Sequence, residues 1–388
     1  MFILSDDQNS ALDRLLSWFE ADTKRQYVTL GGYAGTGKTT ILAHLRHELH
    51  TKNPKLKVGF VSYTGKAARV LHSALVSDVV LLKQDTVGTI HSLIYSPVVN
   101  NNEEIIGWKQ KDTIDRDLII IDEGSMVDGS IWRHLLSYKK PIIVVGDHGQ
   151  LPPIRGSFYL MDTPDILLQH IHRQAEKNPI IGISTQAREH GFVRAGNYGA
   201  GVIKYAKEDP EAQEEVDELL QNYSPETLIL CGFNYTRKKL NSIIRTALGF
   251  TRPRPEEGDR VICLRNNHRK HIFNGMLGTV IHIEKMSDEW YDAQIQMDGE
   301  DDVFHGKISV QQFGSDSALN FTDRRSEIMK GDLFDFGYAL TVHKAQGSQA
   351  RKVVLFEERF SKMSDDDWRR WLYTGVTRAQ EELVIFER

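Results

Sequence analysis

The sequence predicts an α/β fold with two parallel sheets, an inserted β-hairpin and an inserted all-β module. Three observations predict it. In the first half, short apolar runs alternate with helical patterns. Strands covered on both faces read as continuous apolar runs, and strand–helix–strand repetition implies a parallel sheet. A second strand–helix series closes the chain, and it is interrupted by a stretch of short strands and turn signals.

Taken in order, Tyr27–Leu30, Lys57–Ser62, Asp117–Ile121 and Pro141–Val145 read as strands of the first sheet. Helices are expected at Asn9–Glu20, Lys38–His50 and Lys66–Val76. Within Ser96–Lys111, the turn Asn100-Asn101-Asn102 separates Pro97-Val98-Val99 from Ile105-Ile106-Gly107-Trp108, which predicts a hairpin. The second series has strands Thr227–Cys231, Tyr338–Val342, Lys352–Phe356 and Leu383–Phe386, with helices at Tyr235–Leu248 and Asp365–Thr377. Thr251–Pro255 breaks the first of those helices. After it come strands Arg260–Leu264, Gly278–Glu284, Trp290–Met297 and Val303–Ser309, with turns such as Asn274-Gly275 and Asp298-Gly299. The expected division is 1–175 with its hairpin 96–111, a second α/β domain from 176–250 and 331–388, and a small β-barrel at 251–330.

Composition narrows the function. Lys plus Arg is 48 and Asp plus Glu is 53, a net charge of −5, which excludes a histone-like coating protein. A nucleic-acid partner would have to sit in a local groove. Asn234–Ile272, with ten Lys/Arg against three Asp/Glu, is a candidate phosphate-tracking surface, or simply solvated charge. Cys231 and Cys263 stand alone, giving neither a disulfide framework nor a zinc site, so a reducing cytosol is expected. Phe2-Ile3-Leu4 is too short for a signal peptide, and no apolar run nears the ~20 residues that cross a bilayer. The expectation is a cytoplasmic protein with no membrane partner.

Two motifs carry chemistry. Gly32-Tyr33-Ala34-Gly35-Thr36-Gly37-Lys38-Thr39 follows a strand and opens a helix, the setting of a phosphate-binding loop. Its glycines let backbone N–H groups converge on phosphates, and the helix N-terminus adds positive potential. Lys38 should reach the β/γ-phosphates and Thr39 should ligate Mg²⁺, with Gly32, Ala34, Gly35, Thr36, Gly37 and Thr40 completing the ATP site. The apolar strand Leu118–Ile121 then delivers Asp122 and Glu123. Asp122 would hold Mg²⁺, while Glu123 would orient or deprotonate the attacking water.

Further motifs carry a resemblance. They are Gln8 in Leu4-Ser-Asp-Asp-Gln8, Tyr63–Ala68, Gly88–Ser92, Asp122–Met126, Gly146–Pro153, His172-Arg173-Gln174, Thr341–Ser348 and Tyr373–Ala379. In this order and spacing the chain resembles superfamily 1 helicases of the B branch, RecD/Dda-like, over nearly its whole length. The resemblance implies two RecA-like domains, ATP and Mg²⁺ between them, and 5′-to-3′ movement on single-stranded DNA. It implies that Gln8 reads adenine, though a solvated glutamine reads equally well from sequence. By the same resemblance Gln150 senses the γ-phosphate, Arg173 and Arg378 are arginine fingers, and Gly347 belongs to the nucleotide site. It places Thr64, Lys66, Thr89, His91, Asn234, Arg237, Thr341 and His343 along the DNA, the alternative for each being an ordinary cap or loop residue. The hairpin resembles a strand-separating pin with Trp108 as its apolar contact, and the inserted module an SH3-like barrel. Single-stranded and forked DNA are the expected partners, with single-stranded-DNA-binding or replication proteins as candidates, and the chain is expected to act as a monomer. Rival readings are a motor subunit of a recombination or nuclease complex, an RNA-directed superfamily 1 helicase, and a small-molecule kinase. The kinase leaves Gln150, Arg378 and Thr341–Ser348 unexplained.

Overall fold

The computed structural model describes residues 3–21, 25–78, 80–99, 105–153, 158–171, 178–300, 302–316, 319 and 330–387. The chain divides into two units, Met1–Pro97 with Trp108–Ile181, and Val98–Gly107 with Gly182–Arg388.

The first unit is built on runs such as Ile119-Ile120-Ile121, fully buried along one strand. Its elements are α1 (Asp6–Glu20), β1 (Tyr27–Gly32), α2 (Lys38–Lys52), β2 (Val58–Ser62), α3 (Gly65–Ser77), β3 (Thr86–Thr89) and α4 (Ile90–Ile94). A hairpin of β4 (Tyr95–Val99) and β5 (Ile105–Gln110) follows, then β6 (Leu118–Asp122), α5 (Gly129–Ser137), β7 (Ile142–Gly146) and β8 (Ile166–Leu168). Six strands form an all-parallel sheet in the order β3-β2-β6-β7-β1-β8. Because side chains alternate along a strand, Leu118, Ile120, Ile143 and Val145 pack with α1, α2 and α3 on one face. Ile119, Ile121, Ile142 and Val144 pack with α4 and α5 on the other.

The second unit adds α6 (Pro179–His190), β9 (Gly196–Gly199), β10 (Val202–Tyr205), α7 (Pro210–Gln221), β11 (Thr227–Cys231) and α8 (Asn234–Ala247). Then come β12 (Arg260–Cys263), β13 (Leu277–Lys285), β14 (Trp290–Met297), β15 (Val303–Ser309) and β16 (Phe334–Phe336). The chain ends with β17 (Ala339–Thr341), β18 (Ala350–Glu357), α9 (Asp365–Val376) and β19 (Ala379–Glu387). One sheet has the order β17-β11-β18-β19-β10-β9, parallel except for β9. The other, β15-β14-β13-β12-β16, is antiparallel throughout. A bridge between Ile308 and Asp332 joins β15 to the residues just before β16.

Several element ends differ from the sequence expectation, as at β19, which begins at Ala379 rather than Leu383, and two of the differences have a visible cause. α1 starts at Asp6 rather than Asn9, because Ser5 caps it and Gln8 returns the bond as the third helical residue. The antiparallel insertion runs through β16, past residue 330, because Val261, Ile262 and Cys263 pair with Phe336, Asp335 and Phe334.

A buried ion pair ties α2 to the turn before β3. Arg46 donates to both Asp85 oxygens (2.8 and 3.1 Å), and Asp85 also accepts from the backbone of Val58 and Leu82. Removing one partner of a buried pair strands the other charge. Arg46→Met should therefore cost about 3–5 kcal/mol, read as a lower midpoint in chemical denaturation. A midpoint within error of the parent would contradict the pair's structural role.

Candidate nucleotide and nucleic-acid site

The loop between β1 and α2 is shaped by left-handed backbone at Gly35 (φ +81°) and Gly37 (φ +78°). Gly37 caps α2 without a side-chain bond, so the first-turn N–H groups remain for an anion. Thr36 donates its hydroxyl to Tyr33 O (2.9 Å). A Cβ at Gly32 would lie 2.5 Å from that hydroxyl oxygen, so only glycine fits. Lys38 Nζ folds back onto Gly32 O (2.8 Å) and Tyr33 O (3.0 Å). Ala34 and Thr40 are half-buried, and Thr39 is exposed on the first helical turn.

Gln8 is buried, not solvated. Its Oε1 accepts from Ser5 N (3.1 Å) and its Nε2 donates to Thr36 O (3.1 Å), which ties α1 to the loop.

β6 ends at Asp122, and Glu123 follows in left-handed backbone (φ +55°). A non-glycine residue there is uncommon and is held by its surroundings. Burial first, and then the Glu123 charge, raise the Asp122 carboxyl above the ordinary aspartate range. A cation would relieve both effects. The oxygen donors of Asp122 and Thr39 suit a hard divalent ion completed by phosphate and water. No cluster of His, Cys, Asp or Glu among the described residues points to a softer metal.

After β7, Asp147 accepts from Gly149 N (2.9 Å), and Gln150 is buried beside it with Nε2 3.5 Å from Asp147 Oδ2. Tyr159 donates its hydroxyl to both His148 O and Gln150 O (3.1 Å each). The Tyr33 ring lies 4.2 Å from the His148 ring, linking this loop to the phosphate loop. The sequence reading missed Tyr33, His148 and Tyr159, which have no motif spacing of their own. Register sets the proximity: Gly31 pairs with Gly146, and Ile121 with Val144. The three loops therefore leave the same carboxyl edge of the sheet, where parallel sheets bind ligands.

Arg173 and its neighbour His172 lie outside the described residues. In the second unit Arg378 is buried (2% exposed) and donates to Thr374 O, Ser348 O and the Thr377 hydroxyl at 3.0–3.2 Å. Among the described residues no carboxylate pairs with it. Gly347 has φ +72° in the loop after β17.

The residues expected along the DNA fall into two groups. Thr64 and Thr89 cap α3 and α4, accepting from Ala67 N (3.2 Å) and Ser92 N (3.1 Å). Thr341 accepts from Lys344 N (3.4 Å). Arg237 is buried, donating to Asp335 (3.0 Å), Ser315 O (3.1 Å) and Asn234 Oδ1 (3.2 Å). In contrast, Asn234 is exposed, and Lys66, His91, Trp108 and His343 are half-buried. His91 lies edge-on to Tyr63 and beside Tyr95, and burial holds the His343 imidazole below the ordinary histidine range.

The basic stretch Asn234–Ile272 is not a free cationic surface. Arg237, Lys238, Arg245, Arg260 and Lys270 pair with Asp335, Asp316, Asp259, Asp298 and Asp332. Four of those five carboxylates lie beyond the stretch, so counting charge along the sequence missed them.

A phosphate loop, a strand-end carboxylate pair and an amide loop on one parallel edge define a nucleoside-triphosphate-binding protein. Comparison with known families agrees. The AAA domain family matches residues 3–208, and the UvrD-like helicase C-terminal domain matches residues 336–386. The ATP-dependent RecD2 DNA helicase of Deinococcus radiodurans is 29% identical over 412 residues, covering 97% of this chain and 48% of that protein. The chain thus spans about half the length of this relative. The ATP-dependent DNA helicase dda of Enterobacteria phage T4 is 22% identical, covering 98% of each chain. The Pif1 helicase from Bacteroides, solved with ADP-AlF3 and single-stranded DNA, aligns with a TM-score of 0.56 at 17% identity, covering 99% of this chain and 92% of that one, which shows a shared fold. The chain belongs to the AAA domain family, and over nearly its whole length it is similar to helicases of the RecD/Dda-like kind. The family implies ATP binding with a divalent metal.

The Tyr159 hydroxyl holds the two carbonyls on either side of Gly149, and so sets where Gln150 sits. Tyr159→Phe should lower kcat for ATP about five- to tenfold, roughly one hydrogen bond's worth. ATP affinity, followed with a fluorescent nucleotide, should stay within about twofold. Loss of affinity at unchanged kcat would contradict this role.

Proposed function

We propose that this chain is an ATP-dependent DNA helicase that moves 5′-to-3′ on single-stranded DNA and unwinds duplex. One observation carries the reading. β-Strand register gathers Lys38, Asp122, Glu123 and Gln150 at one edge of the first unit, and Arg378 is a buried cation that no carboxylate among the described residues pairs with.

Lys38 leaves the loop carbonyls of Gly32 and Tyr33 to meet the β/γ-phosphates. Thr39 and Asp122 would hold Mg²⁺, which would neutralise phosphate charge. Glu123 takes the proton of the attacking water. Gln150 senses the γ-phosphate. Arg378, and by resemblance Arg173, place planar positive charge on the phosphoryl group as its charge spreads. The buried Gln8 fixes α1 against the loop and reads the adenine edge.

Lys66, His91, Asn234 and His343 are assigned to the DNA. Thr64, Thr89 and Thr341 hold the loops that present them, and Arg237 braces α8. The β4–β5 hairpin is the wedge at the fork with Trp108 as its stacking face, and the β12–β16 sheet is the SH3-like module. The protein acts as a monomer on forked DNA.

Glu123→Gln should bind ATP normally and turn over about 10²–10⁴-fold more slowly, since the amide keeps the shape and loses the base. Single-turnover hydrolysis with labelled ATP measures it, and turnover near the parental rate would remove Glu123 from this role. Forked DNA with a 5′ single-stranded tail should be unwound when ATP is added, and the same duplex with only a 3′ tail should not. Unwinding from the 3′ tail alone would refute the polarity, and unwinding of neither the helicase reading.

A further inference from the structure

The phosphate loop and the Gln150 loop touch through a pair of rings that neither motif calls for. Position 33 is one of the unconstrained places in a phosphate-binding loop, between Gly32 and the Gly37-Lys38-Thr39 end. This chain puts a tyrosine there. Its ring centroid lies 4.2 Å from that of His148, with the planes 40° apart. A Cβ at Gly31 would lie 3.2 Å from His148 Nδ1, so the end of β1 comes close to the imidazole as well.

Each ring belongs to a residue whose carbonyl is bonded within the site. Tyr33 O accepts from Lys38 Nζ (3.0 Å) and from the Thr36 hydroxyl (2.9 Å). His148 O accepts from the Tyr159 hydroxyl, which also donates to Gln150 O (3.1 Å each). Asp147 closes the same turn by accepting from Gly149 N (2.9 Å). Lys38 must give up Tyr33 O to meet a phosphate, and that carbonyl turns only through the dihedrals beside the tyrosine ring. Close-packed rings pass such a shift on instead of absorbing it.

We propose that Tyr33 is a positioning residue for ATP hydrolysis: through His148 it sets the place of Gln150 according to whether Lys38 is on the loop carbonyl or on phosphate. This rests on the reading of Gln150 as the group that senses the γ-phosphate. His148 and Gln150 share one short turn, so a shift of the imidazole moves the backbone that carries the amide. The tyrosine ring needs no contact with the nucleotide to act in this way. Losing the ring contact should cost about fivefold in turnover, the scale of one aromatic pair.

The experiment measures kcat for ATP with oligo-dT present, and the affinity for a fluorescent ATP. It uses the full chain, Tyr33→Leu, Tyr33→Phe, Gln150→Ala and the double variant Tyr33→Leu/Gln150→Ala. Tyr33→Leu keeps apolar bulk and loses the ring. Its kcat should fall about fivefold, and ATP affinity should stay within about twofold. Tyr33→Phe keeps the ring and should hold most of the parental kcat. Added to Gln150→Ala, Tyr33→Leu should cost less than about twofold more, because the residue it acts through is already gone. A distortion confined to the phosphate loop would instead cost the same in both backgrounds, and that result would overturn the proposal. Parental kcat in Tyr33→Leu would overturn it too, as would lost ATP affinity at unchanged kcat. If Tyr33→Leu does not fold, His148→Leu breaks the same pair from the other side and takes its place in the cycle. Parental kcat in Gln150→Ala would sink the Gln150 reading and the proposal with it, whereas an additive cycle with a slow Gln150→Ala sinks the proposal alone.

Discussion

The parallel register of β1, β7 and β6 is the constraint on which the nucleotide site depends. It fixes Gly31 opposite Gly146 and Ile121 opposite Val144, so the phosphate loop, the carboxylate pair and the Gln150 loop emerge together. The strand ends are packed too tightly to drift. A Cβ at Gly31 would meet Pro164 at 2.5 Å, and one at Gly124 would meet Val144 at 2.4 Å. A shift of one residue would send Ile119 and Ile121 to the face where Leu118 and Ile120 now pack, and the reverse, undoing the fit of both helix layers. The left-handed Glu123 is tolerated at this edge because the packing around it leaves little room to relax.

Buried cations in this chain differ in their partners rather than in their burial. Arg46, Lys204, Arg237 and Arg245 each meet a buried carboxylate. Arg245 shares Asp259 with the Tyr338 hydroxyl, and burial and that carboxylate raise the Tyr338 phenol far above its usual range. Such groups are braces that join helices to strands. Arg378 has carbonyls and a hydroxyl instead, and among the described residues no carboxylate pairs with it.

The sequence made the long elements legible because they are long and buried. β11, β14 and β15 begin and end where their apolar periodicity does. β3, β8, β9 and β10 were not legible, since three or four residues, some exposed or glycine, carry too little periodicity to stand out. In the site, residues whose placement is set by local chain geometry could be read: Gly35, Gly37, Lys38, Asp122. Those whose role depends on distant partners could not. The burial of Gln8 requires Thr36, the neutralisation of Arg237 requires Asp335, and the Tyr33–His148 contact requires the β1–β7 pairing.

The position of the antiparallel sheet bears on how the second unit is assembled. β11 and β17 are neighbours, with Cys231 beside Thr341, yet roughly 110 residues of chain separate them. Each doubling of a loop adds about 0.6 kcal/mol of closure entropy, and contacts so distant in sequence slow folding. The insert shortens that loop from within. Its first and last strands are paired, Val261 with Phe336, and Gly337 N bonds to Arg260 O. Once the insert has folded, the chain leaving β16 already stands beside the chain that entered β12. Only α8 and a short connection then remain to be closed. In folding terms the inserted module is a clasp that brings β17 to its sheet, and a mutation that loosens β12 from β16 would be felt in the second parallel sheet first.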